Sequence, residues 1–131
     1  MRLLHCMVTV SIISLALAGG AGAEEKNVTW TGWFSDMKCA APRAAAGVFT
    51  ITNPDCARMC LEKGAAPVFI SEQAKAIFQV KDYSSIIGDL GYHLEIQGAV
   101  DEAAKTIAIR NVKRLAYQGA ACARPRKSAE K

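Results

Sequence analysis

A chain of 131 residues, 51% hydrophobic and 21% charged, is long enough to bury one core, too short for two ordinary domains and too apolar for intrinsic disorder. Its 16 Lys and Arg against 12 Asp and Glu give a formal net charge of +4. Much of that excess sits in Arg124-Pro125-Arg126-Lys127, which reads as a solvated basic tail over 121–131, so no nucleic-acid partner is expected.

The first 23 residues are laid out as a secretory signal peptide. Arg2 is the charged start, an apolar run extends from Cys6 to Leu17, and the small residues Ala21-Gly22-Ala23 form the cleavage site. The run falls short of the roughly 20 residues that cross a bilayer, and Gly19, Gly20 and Gly22 interrupt it. Cleavage after Ala23 is therefore expected to leave an exported protein, periplasmic or extracellular, with no stable membrane span. Of the five cysteines, Cys6 leaves with the leader and Cys39, Cys56, Cys60 and Cys122 remain. An even number in an exported chain of this size reads first as a disulfide framework, because the compartment is oxidising and a small core gains from cross-links.

Over 28–34 the residues alternate, Val28, Trp30, Gly32 and Phe34 facing one way and Thr29, Thr31 and Trp33 the other, which is the period of a half-buried strand. Trp30 is then expected in the core and Trp33 on the accessible face. Residues 40–52, with Pro42, consecutive alanines and Gly47, read as a loop in which 48–51 pair briefly at most. Asn53 as a cap, Pro54 in the first turn and Gly64 at the stop bound a short helix whose inner face carries Cys56, Met59 and Cys60. Residues 67–70 and 76–80 form two strands joined as a hairpin. A second short helix covers 82–90, where Tyr83, Ile86, Ile87 and Leu90 recur at helical spacing before Gly91. The strand period returns over 92–100, turns at 101–104 and runs back over 106–114, with a β-bulge near Arg110 or Asn111 where the inward register slips to Val112. Three strands, a helix and two strands is the element order of the OB-fold. The expected architecture is mainly β with two short helices: a five-stranded OB-like Greek-key barrel over 24–120, with a helical insertion after strand one.

The chemistry-bearing residues cluster around that insertion. Asp36 and Cys39 follow strand one, and Cys56 and Cys60 stand one helical turn apart. As staples, the four cysteines allow three pairings. A bond between Cys56 and Cys60 is disfavoured, because one helical turn puts their Cα atoms near the upper end of disulfide geometry; Cys39 bonded to one of the helix cysteines is preferred, with Cys122 free to take the other. As ligands, Cys39, Cys56 and Cys60 form a soft-metal set for copper or zinc, with Asp36, His93, Cys122 or Met59 as the fourth. The strand period sets His93 on the outer face, where it reads as a surface side chain before a ligand. As redox thiols, Cys56 and Cys60 show C-x-x-x-C where thioredoxin-like enzymes carry C-x-x-C, and the βαβ context is missing. Trp33 is the one candidate for stacking a base or a sugar. No G-x-S-x-G, H-E-x-x-H or phosphate-loop pattern is present, so no enzyme activity and no resident cofactor are expected, copper or zinc being the alternative.

Trp30-Thr31-Gly32-Trp33-x-Ser35-Asp36-x-x-Cys39, followed by Cys56-x-x-x-Cys60 with Gly64-Ala65 and by Ile96-x-Gly98-x-Val100-Asp101, resembles a group of small exported bacterial proteins of unknown function. The resemblance covers roughly residues 28–112 and implies an exported β-barrel domain with no assigned activity. In that group a glycine commonly follows the first cysteine and a histidine often precedes the second. Here Ala40 and Asn53-Pro54-Asp55 stand instead, which weakens any metal site relying on that histidine, and Cys122 lies outside the shared pattern. The expected function is a non-enzymatic binding or structural module, stapled by disulfides and facing a ligand or envelope partner. The alternatives are a copper or zinc binder and a thiol oxidoreductase.

Overall fold

The computed structural model describes residues 24–81, 83 and 85–119; the leader, the basic tail and Cys122 lie outside the described residues. Five strands, β1 (Lys26–Asp36), β2 (Pro67–Ser71), β3 (Ala76–Lys81), β4 (Tyr92–Asp101) and β5 (Thr106–Tyr117), form one mixed sheet that closes into a ring in the order β1-β2-β3-β5-β4. Closure depends on β1, which is long enough to pair with two neighbours. Its first part, Lys26 to Gly32, is antiparallel to β4, and its last part, Gly32 to Asp36, is antiparallel to β2. Gly32 is the shared residue, and a Cβ there would stand 1.8 Å from the Ile70 carbonyl oxygen, so no side chain fits where the ring turns. Among the described residues the only parallel pairing is short, from Gln79↔Thr106 to Lys81↔Ala108 between β3 and β5.

Both hairpins use the same turn chemistry. In Ser71-Glu72-Gln73-Ala74-Lys75 and Asp101-Glu102-Ala103-Ala104-Lys105 the first side chain accepts the N–H three residues on, Ala74 N–H to Ser71 Oγ and Ala104 N–H to Asp101 Oδ1. In each, the lysine takes the left-handed conformation that ends the turn, at φ 48° and 53°. The expected bulge is present: Gln97 faces Asn111 and Gly98 faces Ile109, leaving Arg110 as the extra residue, and a second slip lies between His93 and Leu94.

Among the described residues three helices are present where two were expected. Residues 40–45 of the segment read as a loop belong to α1 (Met37–Ala45), α2 (Pro54–Glu62) follows, and α3 (Ile86–Asp89) stands between β3 and β4 as a shorter piece than expected. No strand forms over 48–51. α1 forms because Asp36 caps it and its alanines are good helix formers, while Pro42, in a helix of only nine residues, does not end it. α1 and α2 finish alike. Gly47 and Gly64 sit at φ 76° and 91°, with Val48 N–H bonded to Arg43 O and Ala65 N–H to Cys60 O, the Schellman closure that favours glycine.

Two cores result. Phe34, Phe69, Phe78, Leu94, Ile96, Val100 and Ile107 fill the ring, joined by Ile86 of α3, by Leu90 just after it and by Ala57 from α2. Outside the ring, Trp33, Val68 and Ile70 pack with Ala40 of α1 and with Met37, Phe49, Ile51 and Ile77. This second core corrects the expectation for Trp33. It is only 6% exposed, so it offers no stacking face, whereas Trp30 is the half-buried one, packed on Phe78. Strand alternation separates the two faces of a sheet but does not say whether the second face is covered. α2 also turns differently from expectation. Pro54, Ala57 and Leu61 face inward, Met59 is 55% exposed and Cys56 is exposed.

Candidate metal centre

The last residue of β1 and the first of α1 define the site. Asp36 is fully buried beneath the insertion, where β1 still pairs with β2 at Asp36↔Pro67 and the next residue, Met37, donates its N–H to Ala66 O at 2.9 Å. The Asp36 carboxylate caps α1: Oδ1 accepts the N–H of Cys39 at 3.1 Å, and this fixes Cys39 in the first helical turn. The other oxygen, Oδ2, is buried and has no hydrogen-bond partner. A buried carboxylate oxygen without a donor is costly unless a proton or a cation compensates it.

The second helix brings the third group. Cys60, in the last turn of α2, is half-buried, and its sulfur, the Cys39 sulfur and an Asp36 carboxylate oxygen all lie within 4.8 Å of one another. α2 is aimed there by its N-cap, Asn53, whose side chain accepts the N–H groups of Asp55 and Cys56. The segment leading into it is pinned to β1 by a buried hydroxyl pair, Ser35 and Thr52. Burial first, then the Asp36 carboxylate and the Cys60 thiol, push the Cys39 thiol up to about 12. Without a cation Cys39 stays protonated at neutral pH. A bound cation reverses that balance, because a coordinating thiol is deprotonated outright.

The sequence-derived ligand set is thus partly assembled. Cys39, Cys60 and Asp36 converge, whereas Cys56 points to solvent and is not in the group, and Cys122 lies outside the described residues. Cys39, Cys56 and Cys60 are free thiols, so the staple expected between Cys39 and a helix cysteine is not formed; the helix cysteine that Cys39 faces is Cys60.

His93 lies on the outer face as expected but is engaged rather than free. Its Nε2 is 2.7 Å from Glu72 Oε2, and its ring stacks on Trp33 at 5.0 Å, while Trp33 Nε1 donates to Gln118. Burial works to raise the Glu72 carboxyl, and hydrogen bonds from the Thr31 hydroxyl and the His93 ring outweigh it, holding it below the ordinary carboxylate range. His93 belongs to this outer network and not to the thiol cluster. Asp36, in the sequence only one of several candidates for a fourth ligand, is a full member of the group with Cys39 and Cys60. The signal available was its spacing of three residues before Cys39, which is that of a helix cap. Compared with protein-family models, curated proteins and solved structures, the chain matches none.

Proposed function

We propose that this protein is an exported, non-enzymatic OB-like Greek-key module whose helical insertion binds a thiophilic metal ion, zinc(II) or copper(I), through Cys39, Cys60 and Asp36. The observation that carries the reading is the convergence of two thiols on a fully buried carboxylate whose Oδ2 has no other partner. Two thiolates and a carboxylate suit zinc, which accepts sulfur and oxygen together. Two thiolates alone suit copper(I). The strand order β1-β2-β3-β5-β4 and the helix between β3 and β4 support the OB-like assignment. The leader, together with the resemblance to exported bacterial proteins, supports the compartment. A thiol oxidoreductase centred on Cys56 and Cys60 is disfavoured, because Cys60 is grouped with Cys39 and Asp36 while Cys56 is exposed and outside that group.

Metal analysis of the protein exported and purified without chelator tests this reading, followed by titration of the reduced chain with zinc(II) and with copper(I). One equivalent is expected. Cys39→Ser and Cys60→Ser each abolish it, Asp36→Asn weakens zinc more than copper(I), and Cys56→Ser leaves it intact. Binding that survives Cys39→Ser, or that is lost in Cys56→Ser, overturns the assignment.

A further inference from the structure

We propose that Cys39 and Cys60 also form a redox couple, and that joining them as a disulfide closes the Asp36 site, so that the metal-bound and disulfide-bonded states exclude one another. The inference rests on the metal reading above for one of its two states and on the positions of the sulfurs for the other. The two cysteines come from different helices, Cys39 from the first turn of α1 and Cys60 from the last turn of α2, and their sulfurs lie within 4.8 Å. A bond between them needs the sulfurs to close to about 2.05 Å, a movement on the scale of side-chain rotation at the ends of two short helices. Cys56 is the poorer partner on both counts, being exposed and one turn from Cys60 on the same helix. Each sulfur that enters the bond is no longer a thiolate donor, so oxidation removes two of the three ligands and leaves Asp36 alone.

The reaction balances with a low-molecular-weight disulfide as oxidant. The Cys60 thiolate attacks one sulfur of the oxidant and expels the first thiolate. The Cys39 thiolate then attacks the mixed disulfide at Cys60 and expels the second. The two protons lost by Cys39 and Cys60 leave on the two expelled thiols, so that the protein pair is oxidised by two electrons and the oxidant is reduced by two. The same balance holds if Cys39 enters first, since both routes end in the one Cys39–Cys60 bond. Coupling is reciprocal: a cation on the thiolates protects them from the oxidant to the same degree that the disulfide lowers affinity for the cation.

The experiment uses the full reduced chain, half metal-free and half loaded with one equivalent of zinc, each exposed to oxidised glutathione. Peptide mapping under non-reducing conditions follows the linkage, and a chromophoric chelator follows released zinc. The metal-free sample should form the Cys39–Cys60 linkage as its main product, the zinc-loaded sample should form it at least roughly tenfold more slowly because only its metal-free fraction reacts, and zinc release should keep pace with linkage. Cys60→Ser, checked for fold by circular dichroism, should form no linkage at Cys39, and Cys56→Ser should behave as the parent. Linkage of Cys39 to Cys56 or Cys122, or a rate unchanged by zinc in a chain that holds zinc, overturns the proposal. A chain that forms the Cys39–Cys60 linkage but takes up neither zinc nor copper(I) overturns the metal reading and the exclusion with it, leaving a staple alone. The decisive comparison is made on the native sequence and does not depend on any variant folding.

Discussion

Asp36 serves two structures with one carboxylate, since Oδ1 closes the first turn of α1 and Oδ2 stands beside the thiols. Asn caps helices about as well as Asp, so Asp36→Asn should leave the stability of the metal-free protein within about 0.5 kcal/mol of the parent, or above it, while removing charge from the site. It should also lower the pH at which Cys39 becomes alkylated, because the carboxylate is the second contributor, after burial, to the raised thiol. Maleimide labelling across alkaline pH reads this out, and an unchanged midpoint would mean that Asp36 does not act on Cys39. The same thiol sets an alkaline limb of stability. Between 9.0 and about 12 the folded chain keeps a proton that the unfolded chain has released, so stability falls as pH climbs through that window. Urea titrations at about pH 8 and about pH 10.5 should show part of this fall disappearing in Cys39→Ser.

At the scale of elements, α1 and α2 are a pair built by one recipe. Each begins on a side chain that accepts backbone N–H groups, Asp36 or Asn53, and ends on a glycine in the left-handed region with a bond from the following N–H back to the last turn. No atom crowds the missing Cβ of Gly47 or Gly64, so an alanine there meets conformational cost alone. Gly47→Ala and Gly64→Ala should each destabilise by about 1 kcal/mol, and Gly64→Ala should weaken zinc binding as well, because it loosens the turn that holds Cys60. Thermal melts with and without zinc separate the two effects. α2 was legible in the sequence because its signals agree, Asn53-Pro54 opening it and Gly64 closing it. α1 was not, because Pro42 and the run of small residues hid the equally regular pair of Asp36 and Gly47. The β5 bulge was legible for the opposite reason: a slip in a period of two shows directly in which residues are apolar, and it fell at Arg110.

The whole molecule is a ring with an interior core and a second, smaller core beneath its insertion. Neighbouring strands supply residues to both. Leu94 is fully buried within the ring and Ile70 is buried outside it. Leu94→Ala and Ile70→Ala should each cost roughly 2–5 kcal/mol, but with different distributions. Hydrogen exchange should quicken throughout the sheet in Leu94→Ala, and first over α1 and residues 48–52 in Ile70→Ala. Uniform loss in both would show that the two cores unfold as one. Because the outer core carries α1, Ile70→Ala should also weaken metal binding without touching a ligand. Among the described residues no helix is long and apolar enough to cross a membrane.

The sequence by itself determined the five strands, the hairpin turns, the bulge, the helix bearing Cys56 and Cys60, and the closeness of Asp36 to Cys39, because each is encoded by neighbours within a few positions. Only the tertiary structure decided that Trp33 is buried, that His93 is held by Glu72, and that Cys60 rather than Cys56 reaches Cys39. Those outcomes depend on how α2 rotates to bury Ala57 against the ring and on how α1 covers the outside of β1 and β2. A helix of nine residues offers more than one face with apolar spacing, and the partner surface selects among them.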